Sequence, residues 1–258
     1  RPPIPGHLPP PMLLSPPRAG RTREPERAPR PALGTESRIW LIRHGRVDAA
    51  DLAYGDADVP LSAEGQAQTD AIEGQISAYL QPALVAASPL QRARAMGEAV
   101  SRATGAPLRL DDRLKEMNRG DWQGLPRTEY AERWRAAAGD YWRDPLHWRG
   151  HGGESEAMLV ERTFPVLEEV ARAAAESGEA CTAVIAAHRQ VIRSLVAAAL
   201  GLPPGQSHSL QLDPGHSILL ADTGDRWSLL RTNLSLPGAP HLTEPESGPP
   251  ADVPTRRP

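Results

Sequence analysis

Arg43-His44-Gly45 follows directly on the apolar run Ile39-Trp40-Leu41-Ile42. The run reads as a buried strand, so the triplet reads as a histidine delivered to the end of that strand beside a fixed cation. A neutral imidazole nitrogen is available near pH 7, because the ordinary histidine pKa is about 6.5. Such a nitrogen can attack phosphorus and split one hard displacement into two easier ones. A loop after a strand would also account for the triplet alone, so matching parts must lie elsewhere. Two apolar runs supply them: Leu84 to Ala87 ends at Ser88, with Arg92 one turn into the following helix, and Thr182 to Ala187 ends at His188. In an open parallel sheet the ligand sits outside the carboxyl ends of the strands. Arg43, His44, Arg92 and His188 then converge beside helix N-termini, whose N–H groups and dipole also favour an anion. The expected ligand is a phosphate or a similar dianion.

The elements that must position these groups alternate between short apolar runs and longer helical periods from residue 38 onward, the pattern of a parallel sheet covered by helices. Strands are expected over Arg38 to Ile42, Leu84 to Ala87, Pro107 to Leu110 and Thr182 to Ala187. Ser62 caps a helix running to about Tyr79, with Ala67, Ala71, Ile76 and Leu80 as its buried positions. Ser88-Pro89 combines a cap with proline at the first helical position, opening a helix that stops at Gly105. Further helices span Glu154 to Ser177 and Arg189 to Leu200. Ser209 to Leu212, Ser217 to Ala221 and Trp227 to Leu230 read as closing strands, with an antiparallel member among them. The stretch from Pro126 to Gly152 carries Trp134, Tyr141, Trp142 and Trp148 and reads as an insertion against one edge of the sheet.

Composition bounds the rest. Residues 1–37 hold eleven of the 28 prolines and residues 237–258 hold seven, so both ends are expected to be disordered tails around one domain at 38–236, with a cap-like insertion near 125–151. The formal net charge is -3; the first 37 residues contribute +3 and the last 22 contribute -1, which leaves -5 for the middle. An acidic body of this kind argues against a nucleic-acid partner. Cys181 is the only cysteine, which excludes an intrachain disulfide and a cysteine-based zinc site; its apolar neighbours mark it as buried filler. No run reaches the roughly 18 apolar residues of a membrane span, and a cytoplasmic protein is expected.

Six ordered segments then resemble the histidine phosphatase superfamily, the phosphoglycerate mutase-like family, across residues 38–236. They are Leu41-Ile42-Arg43-His44-Gly45, Asp58-Val59-Pro60-Leu61-Ser62 with Glu64-Gly65, Ser88-Pro89-Leu90 with Arg92-Ala93, Leu114 with Glu116 and Gly120 to Gly124, Gly152-Gly153-Glu154-Ser155, and His188. The resemblance implies an α/β fold with a mostly parallel central sheet and helices on both faces. It implies that His44 becomes a phosphohistidine, that Glu116 protonates the departing ester oxygen and later deprotonates water, and that Arg43, Arg92 and His188 hold the phosphoryl oxygens. It implies no metal and no cofactor. At neutral pH Glu116 then needs burial or a nearby anion to stay protonated, or activity peaks in mild acid.

Two departures bear on substrate. Arg189 stands where the family usually has glycine, and it either crowds the pocket or binds a substrate's second anionic group. Arg46-Val47-Asp48-Ala49-Ala50 replaces the family's usual Glu-Thr-Glu-Trp-Asn type of sequence. The 27 residues between Gly124 and Gly152 resemble the modest insertion of the phosphatases more than the longer segments of the mutases. The expected activity is a phosphomonoester hydrolase acting on a small phosphorylated metabolite; a phosphomutase and a non-catalytic phospho-ligand sensor are the alternatives.

Overall fold

A computed structural model describes residues 36–49, 51–178 and 181–236. The proline-rich ends, apart from Glu36 and Ser37, and Ala50 lie outside the described residues. Six strands, β1 (Ser37–Arg43), β2 (Val85–Ala87), β3 (Leu108–Leu110), β4 (Thr182–Ala187), β5 (His216–Asp222) and β6 (Trp227–Ser235), form one sheet in the order β3-β2-β4-β1-β5-β6. The first four in that order run parallel, while β5 is antiparallel to β1 and β6 to β5. The register fixes the site: Arg43 lies opposite Ala187 and Ala87 opposite Ala186. The next residues along, His44, His188 and Ser88, therefore leave the sheet at one edge.

Among the described residues are five helices, α1 (Ala63–Gln75), α2 (Gln91–Thr104), α3 (Arg127–Tyr141), α4 (Glu156–Glu176) and α5 (Arg189–Leu200), of which all but α3 cover the two faces of the sheet. Ile72 of α1 and Met96 and Val100 of α2 pack on Ile42, Val85, Ala87, Val184 and Ala186. Leu159, Leu167 and Val170 of α4 and Val191, Ile192 and Leu195 of α5 pack on the other face, against Ile39, Leu41, Ala183 and Ile185. Strands β1 and β4 are buried from both sides, which is why they read as nearly continuous apolar runs. The helix boundaries follow local chemistry. Ser62 and Ser155 accept hydrogen bonds from Gly65 N and Met158 N, and Gly105 and Gly201 end α2 and α5 in the left-handed conformation.

Several expectations change. The helix after Ser62 buries Gly65, Gln68, Thr69 and Ile72 instead of Ala67 and Ala71, because its start is pulled against the loop that follows His44. A Cβ on Gly45 would lie 2.5 Å from the Gly65 oxygen, and Gln68 Oε1 accepts the Arg46 N–H at 3.0 Å. The helix after Ser88 begins two residues late, since Ser88 Oγ is spent on the Leu90 N–H and on His188. Ser209 to Leu212 is no strand: a 3-10 turn spans Gln206–Ser209, and the carbonyls of Leu210 and Leu212 serve Arg193 and Arg43 instead of a ladder. Cys181 is half-buried with φ 43°, at the mouth of β4. The insertion does not lie on the sheet edge. Tyr130, Trp134 and Tyr141 of α3 gather with Trp122 in a small aromatic core, with Trp148 packed against it.

Candidate active site

The strand ends bring His44, Arg43, His188, Ser88 and Arg92 together, as the register requires. His44 is 2% exposed, and its Nδ1 lies 2.7 Å from the Gly45 carbonyl oxygen. A carbonyl oxygen can only accept, so Nδ1 carries the proton and the lone pair is on Nε2. Burial first, and then the neighbouring charges of Arg43 and Arg92, hold the imidazole well below its ordinary value of 6.5. His44 is therefore neutral at pH 7, the form a nucleophile needs. His188 sits edge-on to it with ring centroids 5.3 Å apart, and burial followed by Arg92 lowers its pKa as well. Its Nε2 meets Ser88 Oγ at 2.8 Å, while Nδ1 is buried without a hydrogen-bond partner.

The two arginines are held by backbone carbonyls. Arg43 Nη1 donates to Leu212 O at 2.8 Å. Arg92, fully buried, donates to Ala57 O at 2.7 Å and Gly55 O at 2.9 Å, and its guanidinium lies 4.9 Å over the Tyr54 ring. The 54–58 loop is in turn tied to the start of α2, where Asp58 Oδ1 accepts the Gln91 N–H at 2.8 Å. Arg92 Nε is buried with no partner. An Nε–H of this kind and the orphaned His188 Nδ1 are what a buried anion would satisfy.

Glu116 comes from the other side. Its Oε1 accepts from Met117 N at 2.8 Å, and its Oε2 accepts from Gln190 N in the first turn of α5 at 3.2 Å. Glu154 and Arg162 hold the segment that carries it: Arg162 reaches Glu154 at 2.7 Å, Arg113 O at 2.6 Å and Glu116 O at 3.1 Å. Burial, the largest single influence, works to raise the Glu154 pKa, but the Arg162 hydrogen bonds, the Asn118 N–H and the charges of Arg162 and Arg119 together keep the carboxylate below its ordinary value. The Gly-Gly-Glu-Ser segment thus acts at one remove, through Arg162.

Arg43, His44 and Glu116 share an open pocket with Arg119, Arg127 and Arg189. Tyr54, Tyr130 and Gln190 also line it, whereas Arg92 and His188 are buried behind its lining. Four arginines against one glutamate make this an anion pocket. Arg189, the first residue of α5, lies close enough for its charge to add to the lowering of the His44 pKa. Arg119, Arg127, Tyr54, Tyr130 and Gln190 were not singled out by sequence reasoning. Arg119 carried a signal, standing three residues after Glu116 inside a recognised segment; the others became visible only when the 46–60 loop and α3 were folded over the strand ends. Among the described residues no group of three or more histidine, cysteine, aspartate or glutamate side chains could hold a metal ion, and no helix is long and apolar enough to cross a membrane.

Residues 39–235 match the model of the histidine phosphatase superfamily, branch 1. A glucosyl-3-phosphoglycerate phosphatase of Mycolicibacterium vanbaalenii is 35% identical over 173 residues, covering 64% of this chain and 75% of the relative. Its counterpart in Mycobacterium tuberculosis is 33% identical over 172 residues, covering 64% of this chain and 76% of the relative. The native structure of a mycobacterial glucosyl-3-phosphoglycerate phosphatase superposes with a TM-score of 0.68 at 29% identity, over 78% of this chain and 100% of that one. The chain belongs to the histidine phosphatase superfamily, branch 1.

Proposed function

We propose that the protein is a metal-independent phosphomonoester hydrolase working through a phosphohistidine on His44. The observation that carries this reading is the Nδ1 contact of His44 with Gly45 O at 2.7 Å, which puts the lone pair on Nε2 of a buried, neutral imidazole between arginines. In the first step the Nε2 lone pair forms the N–P bond as the ester O–P bond breaks, and the Glu116 carboxyl gives its proton to the departing oxygen. In the second, a water oxygen forms the new P–O bond, its proton passes to Glu116, and the N–P bond breaks to release phosphate. Arg43, Arg92 and the neutral His188 hold the phosphoryl oxygens in both steps, the two arginines supplying the charge that metal and lysine supply at other phosphoryl-transfer sites.

The similarity to glucosyl-3-phosphoglycerate phosphatases makes glucosyl-3-phosphoglycerate the first substrate to test. Its glycerate carboxylate matches the pocket's Arg119, Arg127 and Arg189, and its sugar ring matches Tyr54 and Tyr130. The test is phosphate release from this compound and a panel of phosphomonoesters, with a chelator present. His44→Ala is expected to abolish turnover, on the order of 10⁵-fold or more. Turnover that survives the substitution refutes the nucleophile, and turnover that the chelator stops refutes metal independence.

A further inference from the structure

Strand β6 stands at the edge of the sheet, and its pairing with β5 is irregular near the site. Ser217 lies opposite Leu234 and Leu219 opposite Arg231, so the single residue Ile218 faces two, Thr232 and Asn233. An extra residue of this kind bends a strand and re-aims a side chain. Asn233 takes φ 45°, a left-handed conformation that asparagine enters more readily than most residues. Its side chain meets the loop that leads into β5. Asn233 Oδ1 accepts from Asp213 N at 2.8 Å, and Asn233 Nδ2 donates to Asp213 Oδ2 at 2.8 Å. An N–H only donates and a carboxylate only accepts, so the two bonds also fix which end of the amide is which.

That loop reaches the site at Arg43 and at His44. Arg43 Nη1 donates to Leu212 O at 2.8 Å, and Gly215 N donates to His44 O at 3.1 Å. The Leu212 carbonyl and the Asp213 N–H belong to one peptide unit, which is planar and stiff. Asn233 holds its N–H end, and Arg43 takes its carbonyl end.

We infer that Asn233 is a positioning residue for Arg43, acting through the peptide unit between Leu212 and Asp213. With the N–H anchored, the plane cannot turn without breaking the bond to Asn233, so the carbonyl stays aimed at Nη1. The bond at the N–H also polarises the unit and makes Leu212 O a stronger acceptor. The guanidinium carries its N–H groups in a rigid fork, so anchoring one of them limits where the rest can face. Arg43 lines the pocket beside His44. Loss of the Asn233 amide therefore leaves every catalytic group in place but lets the carbonyl turn, and Arg43 loses its fixed direction.

The inference rests on the phosphatase reading for the phosphoryl group that Arg43 binds. It is tested by calorimetric affinity for inorganic phosphate on the full chain, with steady-state turnover alongside. Asn233→Gly removes the amide and keeps the left-handed backbone free of strain, and it is expected to weaken phosphate binding about five- to tenfold. Asn233→Asp sets two carboxyl groups together and is expected to weaken it at least as much. Joining that substitution with Asp213→Asn exchanges the two side chains and restores a donor facing an acceptor, so most of the affinity is expected to return. In an Arg43→Ala background Asn233→Gly is expected to add no more than about a twofold loss. A residue that only stabilises the sheet edge would lower resistance to denaturant and leave the phosphate affinity of the folded protein unchanged; that result overturns the inference. So does a loss that the exchange fails to recover, or one as large without Arg43 as with it. Absent turnover by the intact protein would refute the phosphatase reading and leave these affinities as the test of Asn233; an intact protein that binds no phosphate would refute both.

Discussion

The floor of the pocket and its wall are built by different means. The floor, Arg43 and His44 with Ser88 and His188 buried behind them, stands on the ends of three adjacent strands whose register is locked by backbone pairing. The wall stands on side chains: Arg127 and Tyr130 belong to α3, which is held by ring contacts such as Trp134 stacked on Trp148 at 4.7 Å and set edge-on to Trp122 at 5.3 Å. A floor made of backbone permits little movement of the reacting atoms. A wall made of packed rings can be recomposed without disturbing the sheet, which is how one fold serves many substrates.

Glu116 stands between the two regions, and replacing it breaks the comparison most severely. Glu116→Gln keeps the shape and one of the two N–H contacts, since its NH2 cannot accept the other, and it has no proton to transfer, so kcat is expected to fall about 10²- to 10⁴-fold with KM little changed, as steady-state kinetics would show. An equal loss in KM would mean that it belongs to the wall. Trp134→Ala attacks the wall alone. Removing a nearly buried indole is expected to cost about 3–5 kcal/mol in chemical denaturation and to raise KM, while His44 keeps its environment. If kcat collapsed in the folded variant, the separation of floor from wall would be wrong.

Arg127→Ala is a finer cut. With a carboxylate-bearing ester KM is expected to rise about tenfold, and with a phosphomonoester lacking that group it should rise less. Arg189→Gly tests the same question from the floor side, and an unchanged substrate preference there would leave Arg189 as a crowding residue only.

Histidine titration gives the smallest and most selective effect. His44 and His188 in the floor and His151 beside the wall all have lowered values, His151 down to about 3, with burial the largest cause in each. The unfolded chain protonates these groups below about 6.5 while the folded one does not, so stability is full above that pH and is lost on acidification. His151→Gln should reduce the slope of stability against pH between about 6 and 4 by about 1.4 kcal/mol per unit. Thermal melts at several pH values would show it, and an unchanged slope would place the His151 proton elsewhere. Glu156 has the opposite sign, since its raised value lets the folded form take a proton first.

Most of the floor was legible in the sequence because it depends on local patterns. Apolar runs of strand length ending at Ile42, Ala87 and Ala187 announce both a parallel sheet and the residues at its carboxyl edge. Legibility stopped where long-range side-chain bonds replaced periodicity. Ser209 to Leu212 looks like a strand, but its carbonyls face Arg193 and Arg43. Ala67 and Ala71 fit a helical stripe, but the close approach of Gly45 and Gly65 turns another face of the helix inward.

The sequence by itself determined the α/β class, the strand ends and the family segments, since each follows from hydrophobic periodicity and from residue types a few positions apart. Only the tertiary structure decided which nitrogen of His44 holds the lone pair, how Arg162 and Glu154 carry Glu116 to the pocket, and which arginines line that pocket. The first depends on how the backbone turns at Gly45 to meet His44 Nδ1, and the others on contacts between residues far apart in the chain, such as Glu116 with Gln190; a one-dimensional pattern records neither.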